Sequence, residues 1–376
     1  MSSSSYDIVI VGAGIVGAAC AVELARAGLG VAVIEAGNIG GGATAAGMGH
    51  IVVMDDSEAQ FALTKYSQDL WRDLARELPH DSEYEECGTL WVAADDEEMA
   101  EVHRKKEFYG RRGVRVEALD EKALRDAEPN LREGLAGALL VPADGVTYPP
   151  CSARYLLEQA QSFGAQLFIG KPVVELTGNG AKLSDGNFIS AGISVNASGS
   201  WAPELTPGLN VQKRKGHLVI TDRYPGYVRH QLVELGYLKS AHSISSDSVA
   251  FNVQPRATGQ LLIGSSRQYG VEDKGVDHHI LRRMIDRACE YMPGLSKLSA
   301  IRVWTGFRAA TPDKLPLIGP HPEIENLYLA TGHEGLGITT SLGTAKLLAD
   351  LILKRAPVIP VEPYLPGRDH QEAAHA

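Results

Sequence analysis

The first thirty-five residues hold a strand, a glycine turn, a helix and an acid in one fixed order. Tyr6–Val11 is an apolar run that reads as a buried strand, and Gly12, Gly14 and Gly17 follow it in the spacing G-x-G-x-x-G. Ala18–Ala27 is built of good helix formers and is stopped by Gly28 and Gly30. Val31–Ile34 is a second buried strand with Glu35 at its end. The three glycines serve different ends. Gly12 makes the tight turn, Gly14 lets backbone approach a pyrophosphate, and Gly17 lets the helix lie close on the strand. The helix N-terminus offers N–H groups and a positive dipole end to phosphates. Glu35 can accept hydrogen bonds from both hydroxyls of an adenosine ribose and would repel a 2′-phosphate, which argues against NADP. The glycines alone are a weak signal; strand, helix and acid in register make it a strong one for dinucleotide binding.

A chain of 376 residues has room for two domains with their own cores. Its net charge of −10 argues against nucleic acid as a partner. No apolar run is long enough to span a bilayer, and Met1–Ser5 is too short and polar for a signal peptide. The four cysteines, Cys20, Cys87, Cys151 and Cys289, show neither C-x-x-C nor metal-ligand spacing and read as reduced thiols, so we expect a cytoplasmic protein with no metal site.

After Glu35 comes a glycine-rich loop, Gly37–Gly49, whose small residues let backbone approach a flat ligand. Helical periodicity covers Asp56–Leu78, with Phe61, Leu63, Leu70, Trp71 and Leu74 expected on the buried side. Gly88–Ala93 and Val114–Leu119 read as strands, Asp95–Gly110 as a charged surface helix, and Glu121–Glu128 as a short helix. Cys151–Phe163 is a helix, and Gln166–Ile169, Val173–Thr177, Ala181–Leu183 and Ser190–Ala197 are strands that return to the first layer. From Gln212 the pattern changes to longer strands, Gly216–Thr221, Val249–Gln254 and Gln260–Gly264, with a hairpin turn at 255–259, so we expect an antiparallel sheet. A helix at Asp277–Tyr291, strands at Ala300–Phe307 and Leu327–Thr331, and a helix at Ile338–Arg355 complete the chain.

Two later motifs can carry chemistry. Arg308 ends a strand in Trp304-Thr305-Gly306-Phe307-Arg308, among apolar and small residues. A guanidinium there either binds a carboxylate through two parallel hydrogen bonds or pairs with an acid of its own chain such as Asp313. Gly332-His333-Glu334-Gly335-Leu336-Gly337 joins a strand to a helix, and is either a second ligand-facing helix N-terminus or a plain docking helix with a glycine cap. His50, His217, His333, Tyr148 and Tyr237 are the ring side chains best placed to face a ligand, and each has a structural alternative. His278 and His279 lie on an amphipathic helix and are expected in solvent. No nucleophile elbow and no H-E-x-x-H spacing is present.

Taken together, the G-x-G-x-x-G turn with Glu35, Ala46-Gly47-Met48, Val195–Trp201, Trp304–Arg308 and Gly332–Gly337 resemble the D-amino-acid oxidase, glycine oxidase and sarcosine oxidase family of flavoenzymes, over nearly the whole chain. The resemblance implies a mixed α/β fold: a Rossmann-like, glutathione-reductase-type FAD domain (1–80, 145–210, 305–376) interleaved with an antiparallel-sheet substrate domain (81–144, 211–304). It implies FAD bound along Gly12, Ala13, Gly14, Ile15, Val16, Gly17, Glu35, Ala36 and Thr44, with Ala45, Ala46, Gly47 and Met48 against the ring system. Val173, Ala197, Gly199, Trp201, Gly306, Arg308, His333, Glu334, Gly335, Leu336, Gly337 and Ile338 complete the implied cofactor set. Sarcosine oxidases carry a cysteine-linked flavin; Arg308–Gly319 has no cysteine, which implies non-covalent FAD.

Arg308 matches the family's carboxylate-binding arginine, and Arg308, His50 and Tyr237 are the implied catalytic residues. Asn252, His333 and Glu334 join them toward the substrate. The second arginine that some glycine oxidases place in the late glycine loop is absent, since that stretch reads Glu334-Gly335-Leu336. The segments 43–56 and 215–219 look most like bacterial D-hydroxyproline dehydrogenases, with the catalytic subunits of opine oxidase and hydrogen cyanide synthase also similar. The implied activity is oxidation of a D-amino or D-imino acid to its imine, with cis-4-hydroxy-D-proline as the substrate and O₂ or a quinone as electron acceptor. The alternatives are a glycine, sarcosine or D-amino-acid oxidase, or the flavoprotein subunit of a larger dehydrogenase. A homo- or hetero-oligomer and a peripheral place at the inner membrane face both stay open.

Overall fold

The computed structural model describes residues 5–236 and 247–368. It divides into two compact units: Met1–Ser82, Tyr148–Lys213 and Phe307–Ala376 form the first, and Glu83–Thr147 with Arg214–Gly306 form the second.

The first unit is a parallel sheet with antiparallel additions. The strand Tyr6–Val11 lies between Val31–Glu35 and Phe188–Asn196, both parallel to it. Gln166–Ile169 extends the sheet on one side, and Leu327–Thr331 on the other, again in parallel. Leu317–Pro320 closes that edge antiparallel, and Val173–Thr177 with Gly180–Leu183 forms an antiparallel branch off Phe188–Asn196. Val9, Val11, Ala32, Ile34, Ala191 and Leu327 make one core layer. Parallel strands buried on both faces need near-continuous apolar runs, which is why the first two strands stand out in the sequence. The helix Ile15–Arg26 packs between Pro149–Ser162 and the C-terminal helix Gly337–Leu353, which also rests on Glu58–Leu74.

The helix Glu58–Leu74 buries Phe61, Leu63 and Trp71 as expected, but the rest of its face differs. Leu70 and Leu74 are half-buried, whereas Thr64, Ser67 and Gln68 are buried. The cause is its partner: Gly343 of the C-terminal helix donates its N–H to Ser67 Oγ (3.2 Å), so a polar contact sits where apolar periodicity pointed elsewhere. The loop 37–49 also contains one helical turn, Ala43–Ala46.

The second unit holds an eight-stranded sheet in the order Ala300–Ala310, Gln212–Thr221, Leu261–Arg267, Ser248–Pro255, Gln231–Glu234, Thr89–Ala93, Gly137–Val141, Glu117–Asp120. The sheet is mixed and not antiparallel throughout, because Gln231–Glu234 runs parallel to Thr89–Ala93. Those strands belong to two separate stretches of chain, so no hairpin forces them antiparallel. The strand expected at Val114–Leu119 lies at Glu117–Asp120. Helix His278–Tyr291 covers one face, with Leu90, Val92, Phe251, Val253, Ile263, Met284 and Ala288 as the core. Phe251 and Tyr291 stack with ring centroids 4.5 Å apart. The same helix supplies Arg287, whose Nε donates to Glu234 Oε2 (3.0 Å) while Glu234 Oε1 accepts the Phe251 N–H (2.6 Å).

Candidate functional site

At the glycine turn the backbone leaves no room for side chains. A Cβ on Gly12 would stand 2.5 Å from the Ala197 carbonyl oxygen, and one on Gly17 would stand 2.0 Å from the Gly12 oxygen. Gly12 has φ +110°, a conformation L side chains rarely adopt. The helix Ile15–Arg26 starts with no acidic residue in its first turn and no side-chain cap on Gly14. Thr44 Oγ1 accepts the Ile15 N–H at 3.0 Å, which ties the turn at Ala43–Ala46 to this helix start. The Glu35 carboxylate accepts the N–H groups of Ala13 (2.8 Å) and Gly37 (2.7 Å). Each oxygen keeps a second lone pair, so the acid fixes the turn and still has acceptor capacity for a ribose hydroxyl.

The strand Phe188–Asn196 ends beside this turn. Asn196 Nδ2 donates to the Ala202 carbonyl and to Thr206 Oγ1, and its Oδ1 accepts from Ser198. Gly199 accepts the Thr331 hydroxyl at 2.9 Å, joining this loop to the end of Leu327–Thr331. Trp201 is half-buried and stands beside Gly42, whose Cβ would lie 3.5 Å from its ring. Val173 begins the outer antiparallel branch and packs on the sheet core.

The late glycine loop lies on Arg308. Glu334 donates its N–H to the Ala309 carbonyl at 2.7 Å, and a Cβ on Gly335 would meet Arg308 Cδ and Nε at 3.7 Å. Arg308 is half-buried. Asp313, the partner that the sequence offered for it, takes Arg368 through both oxygens, at 2.7 and 3.0 Å. His50 sits close enough that two effects lower its pKa to about 4: burial first, and then the positive charge of Arg308. Its Nε2 is buried without a hydrogen-bond partner among the described residues. Thr339 Oγ1 donates to the His50 carbonyl (2.8 Å), so the start of the C-terminal helix fixes the histidine backbone. Gly47 meets the same helix, where a Cβ would lie 2.9 Å from Ile338 Cδ1.

Other expected site residues fall elsewhere. The His333 ring turns toward Thr344 (Nε2 to Oγ1, 3.0 Å), and burial lowers its pKa to about 3. It is a neutral internal residue of the loop. His217 is fully buried between Ser266 Oγ and the Asp277 N–H, both 3.0 Å from its ring nitrogens. Tyr148 caps the helix Pro149–Ser162. Tyr237 lies outside the described residues. Asn252 belongs to the second unit, on the sheet face away from Phe251 and Val253, and its Oδ1 has no partner among the described residues.

Three polar neighbours of Asn252 carry no motif of their own. Gln231 follows Thr89 in the parallel register, Gln254 lies one residue past the Leu232–Val253 pair, and all three bury a polar atom without a partner among the described residues. The signal was present as Phe251-Asn252-Val253-Gln254, an alternation whose second face is polar where a core face would be apolar.

A family model described as FAD dependent oxidoreductase, DAO, matches residues 7–351. A glycine oxidase of Geobacillus kaustophilus is 30% identical over 375 residues, covering 96% of both chains. Hydrogen cyanide synthase subunit HcnC of Pseudomonas aeruginosa is 29% identical over 426 residues, covering 98% of both. Among solved structures, glycine oxidase from Geobacillus kaustophilus superposes with a TM-score of 0.87 at 30% identity, covering 98% of this chain and 100% of that one. L-proline dehydrogenase from P. horikoshii gives 0.85 at 27% identity, covering 96% and 97%.

Proposed function

Because the chain belongs to the DAO family of FAD-dependent oxidoreductases, which act on amino-acid CH–NH and CH–NH₂ donors, we propose that it oxidises a D-amino or D-imino acid to its imine. The substrate we assign is cis-4-hydroxy-D-proline. The carrying observation is Arg308, laid along the bare backbone of Gly335, with a neutral imidazole, His50, near its charge.

The residues present fit the cofactor. The cradle at Gly12 and Gly17 admits no side chain, and the helix start beyond it holds no acid that would repel phosphate. Gly12–Gly17 and Glu35 would hold the dinucleotide, and Ala45–Met48 with Gly335–Ile338 would line the ring. With no cysteine in Arg308–Gly319, binding is non-covalent. Bound FAD supplies the two-electron acceptor.

The protein's share of the work is positional. Arg308 takes the substrate carboxylate in a two-point contact and so fixes which Cα–H is presented. His50 stays neutral and adds no second cation that would oppose binding of a cationic amine. A similar protein named L-proline dehydrogenase supports a cyclic secondary amine. Similarity to glycine oxidases supports the second reading, an oxidase that passes electrons to O₂, and similarity to HcnC supports a chain that works as a subunit. Peroxide release against dye reduction separates oxidase from dehydrogenase. No described helix is long and apolar enough to cross a membrane. Four cysteines without C-x-x-C or metal-ligand spacing support a cytoplasmic place.

The test is Arg308→Ala assayed on cis-4-hydroxy-D-proline with an artificial acceptor. Losing one partner of a desolvated charge pair costs about 3 kcal/mol, so kcat/KM should fall by ~10²-fold with the flavin spectrum retained. An unchanged KM for carboxylate substrates overturns the role.

A further inference from the structure

The sheet of the second unit has two faces of opposite character. Leu90, Leu232 and Val253 belong to its apolar core. Their neighbours along each strand, Thr89, Gln231 and Gln254, therefore stand on the other face. The register sets these three side by side. Gln231 pairs with Thr89 on one flank, and on the other Gln254 lies one step past the Leu232–Val253 pair. Registered side chains on neighbouring strands are about 5 Å apart. Thr89 is 0% exposed and each glutamine 2%. Thr89 Oγ1, Gln231 Oε1 and Gln254 Oε1 all lack a hydrogen-bond partner among the described residues, as does Asn252 Oδ1 one row along the same face. A buried polar atom without a partner forfeits its hydration with nothing in return, and native folds tolerate few of them. Four on one sheet face point to a partner that the described residues do not supply.

We propose that Thr89, Gln231 and Gln254 form a subsite for the substrate's hydroxyl group. A glutamine carbonyl accepts the hydroxyl proton, and Thr89 or an amide NH₂ donates to the hydroxyl oxygen. This rests on the reading of the substrate as a cyclic hydroxy amino acid given above. The chemistry of the row selects the group. Neither these three side chains nor Asn252 can ionise, so they offer a carboxylate no countercharge, and carbonyl oxygens repel it. An apolar ligand surface would leave all four atoms unpaired. An ammonium would suit the carbonyls but would turn the threonine proton and the amide N–H groups toward a like charge. Trp91, two residues from Thr89 and on the same face, already has Lys105 Nζ 5.9 Å from its ring centroid, which disfavours a second cation. A hydroxyl donates and accepts at once, as amides and threonine do.

The experiment uses the holoenzyme as wild type, Gln231→Leu, Gln254→Leu and Thr89→Val, each change close in volume and without the polar group. Steady-state kcat/KM is compared on cis-4-hydroxy-D-proline and D-proline, which differ only in the hydroxyl. Wild type should prefer the hydroxylated ring by at least ~10²-fold, because a site built to bond a hydroxyl penalises its absence. Each variant should lose ~10-fold of that preference, through kcat/KM on the hydroxylated ring, and oxidise D-proline as well as wild type or better. The Tm of the variants without substrate should stay or rise, since an apolar group relieves an unpaired one. A row that holds only structural water would lower that Tm and leave the preference in place. That result, a wild type without preference, or equal losses on both rings overturns the proposal. Flavin reduction by neither ring would instead remove the substrate reading. Thermal shifts with the two compounds then decide the row alone: a larger shift with the hydroxylated ring in wild type, lost in the glutamine variants, supports it, and equal shifts overturn it.

Discussion

His50 shows how one side chain reports its surroundings. Burial and then Arg308 take its pKa from 6.5 to about 4. The folded protein thus binds fewer protons here than the unfolded chain between those two values. The stability is complete above pH 6.5 and is lost as pH falls toward 4. Carbon-13 NMR of labelled histidine should show a neutral His50 at pH 6, and in Arg308→Ala its midpoint should rise only part of the way to 6.5, because burial is the larger cause. A midpoint that does not move would mean the two side chains are not electrostatic neighbours. At this scale the sequence was half legible. Arg308 stood out because a guanidinium among apolar residues needs an anion, but its proposed partner Asp313 belongs to Arg368, more than fifty residues on. Spacing cannot read a contact made by the far end of the chain. Nor can it tell an outward histidine from an inward one: His217 and His333 both turn to hydroxyl partners.

Elements carry the glycine constraints. Gly17→Ala places a methyl 2.0 Å from the Gly12 carbonyl, and no flexible side chain is there to yield. We expect purified Gly17→Ala to lose most of its bound flavin, read as the ratio of flavin to protein absorbance, with a lower Tm. Full occupancy would show that the helix can shift without cost. This region was legible because a backbone rule, not a tertiary accident, dictates each residue. The short strand Gln231–Glu234 was not. Four residues ending in an acid carry no period, and the acid is inside because Arg287, the Tyr291 hydroxyl and the Phe251 N–H meet it. Similarly, Ser67 is buried against Gly343, a contact that apolar periodicity does not register.

For the molecule as a whole, the Glu234–Arg287 contact is one place where a charge is enclosed. Glu234 is 4% exposed and Arg287 is 37% exposed. Arg287→Ala would leave a buried carboxylate without its cation, at about 3 kcal/mol less some relief from solvent at the arginine end. Thermal melting should show a Tm several degrees lower in the presence of excess FAD, with KM unchanged; an unaltered Tm would mean that water replaces the arginine. The two units also differ in how the chain assembles them. The polypeptide passes from one to the other four times, at 82/83, 147/148, 213/214 and 306/307. During synthesis the strand Tyr6–Val11 is made before both of its sheet neighbours, one of which begins only at Phe188, and that strand in turn waits for Leu327. An apolar ribbon is therefore left with an open edge while the whole stretch from Gly12 to Asn187 is made, and chaperone demand should track that interval.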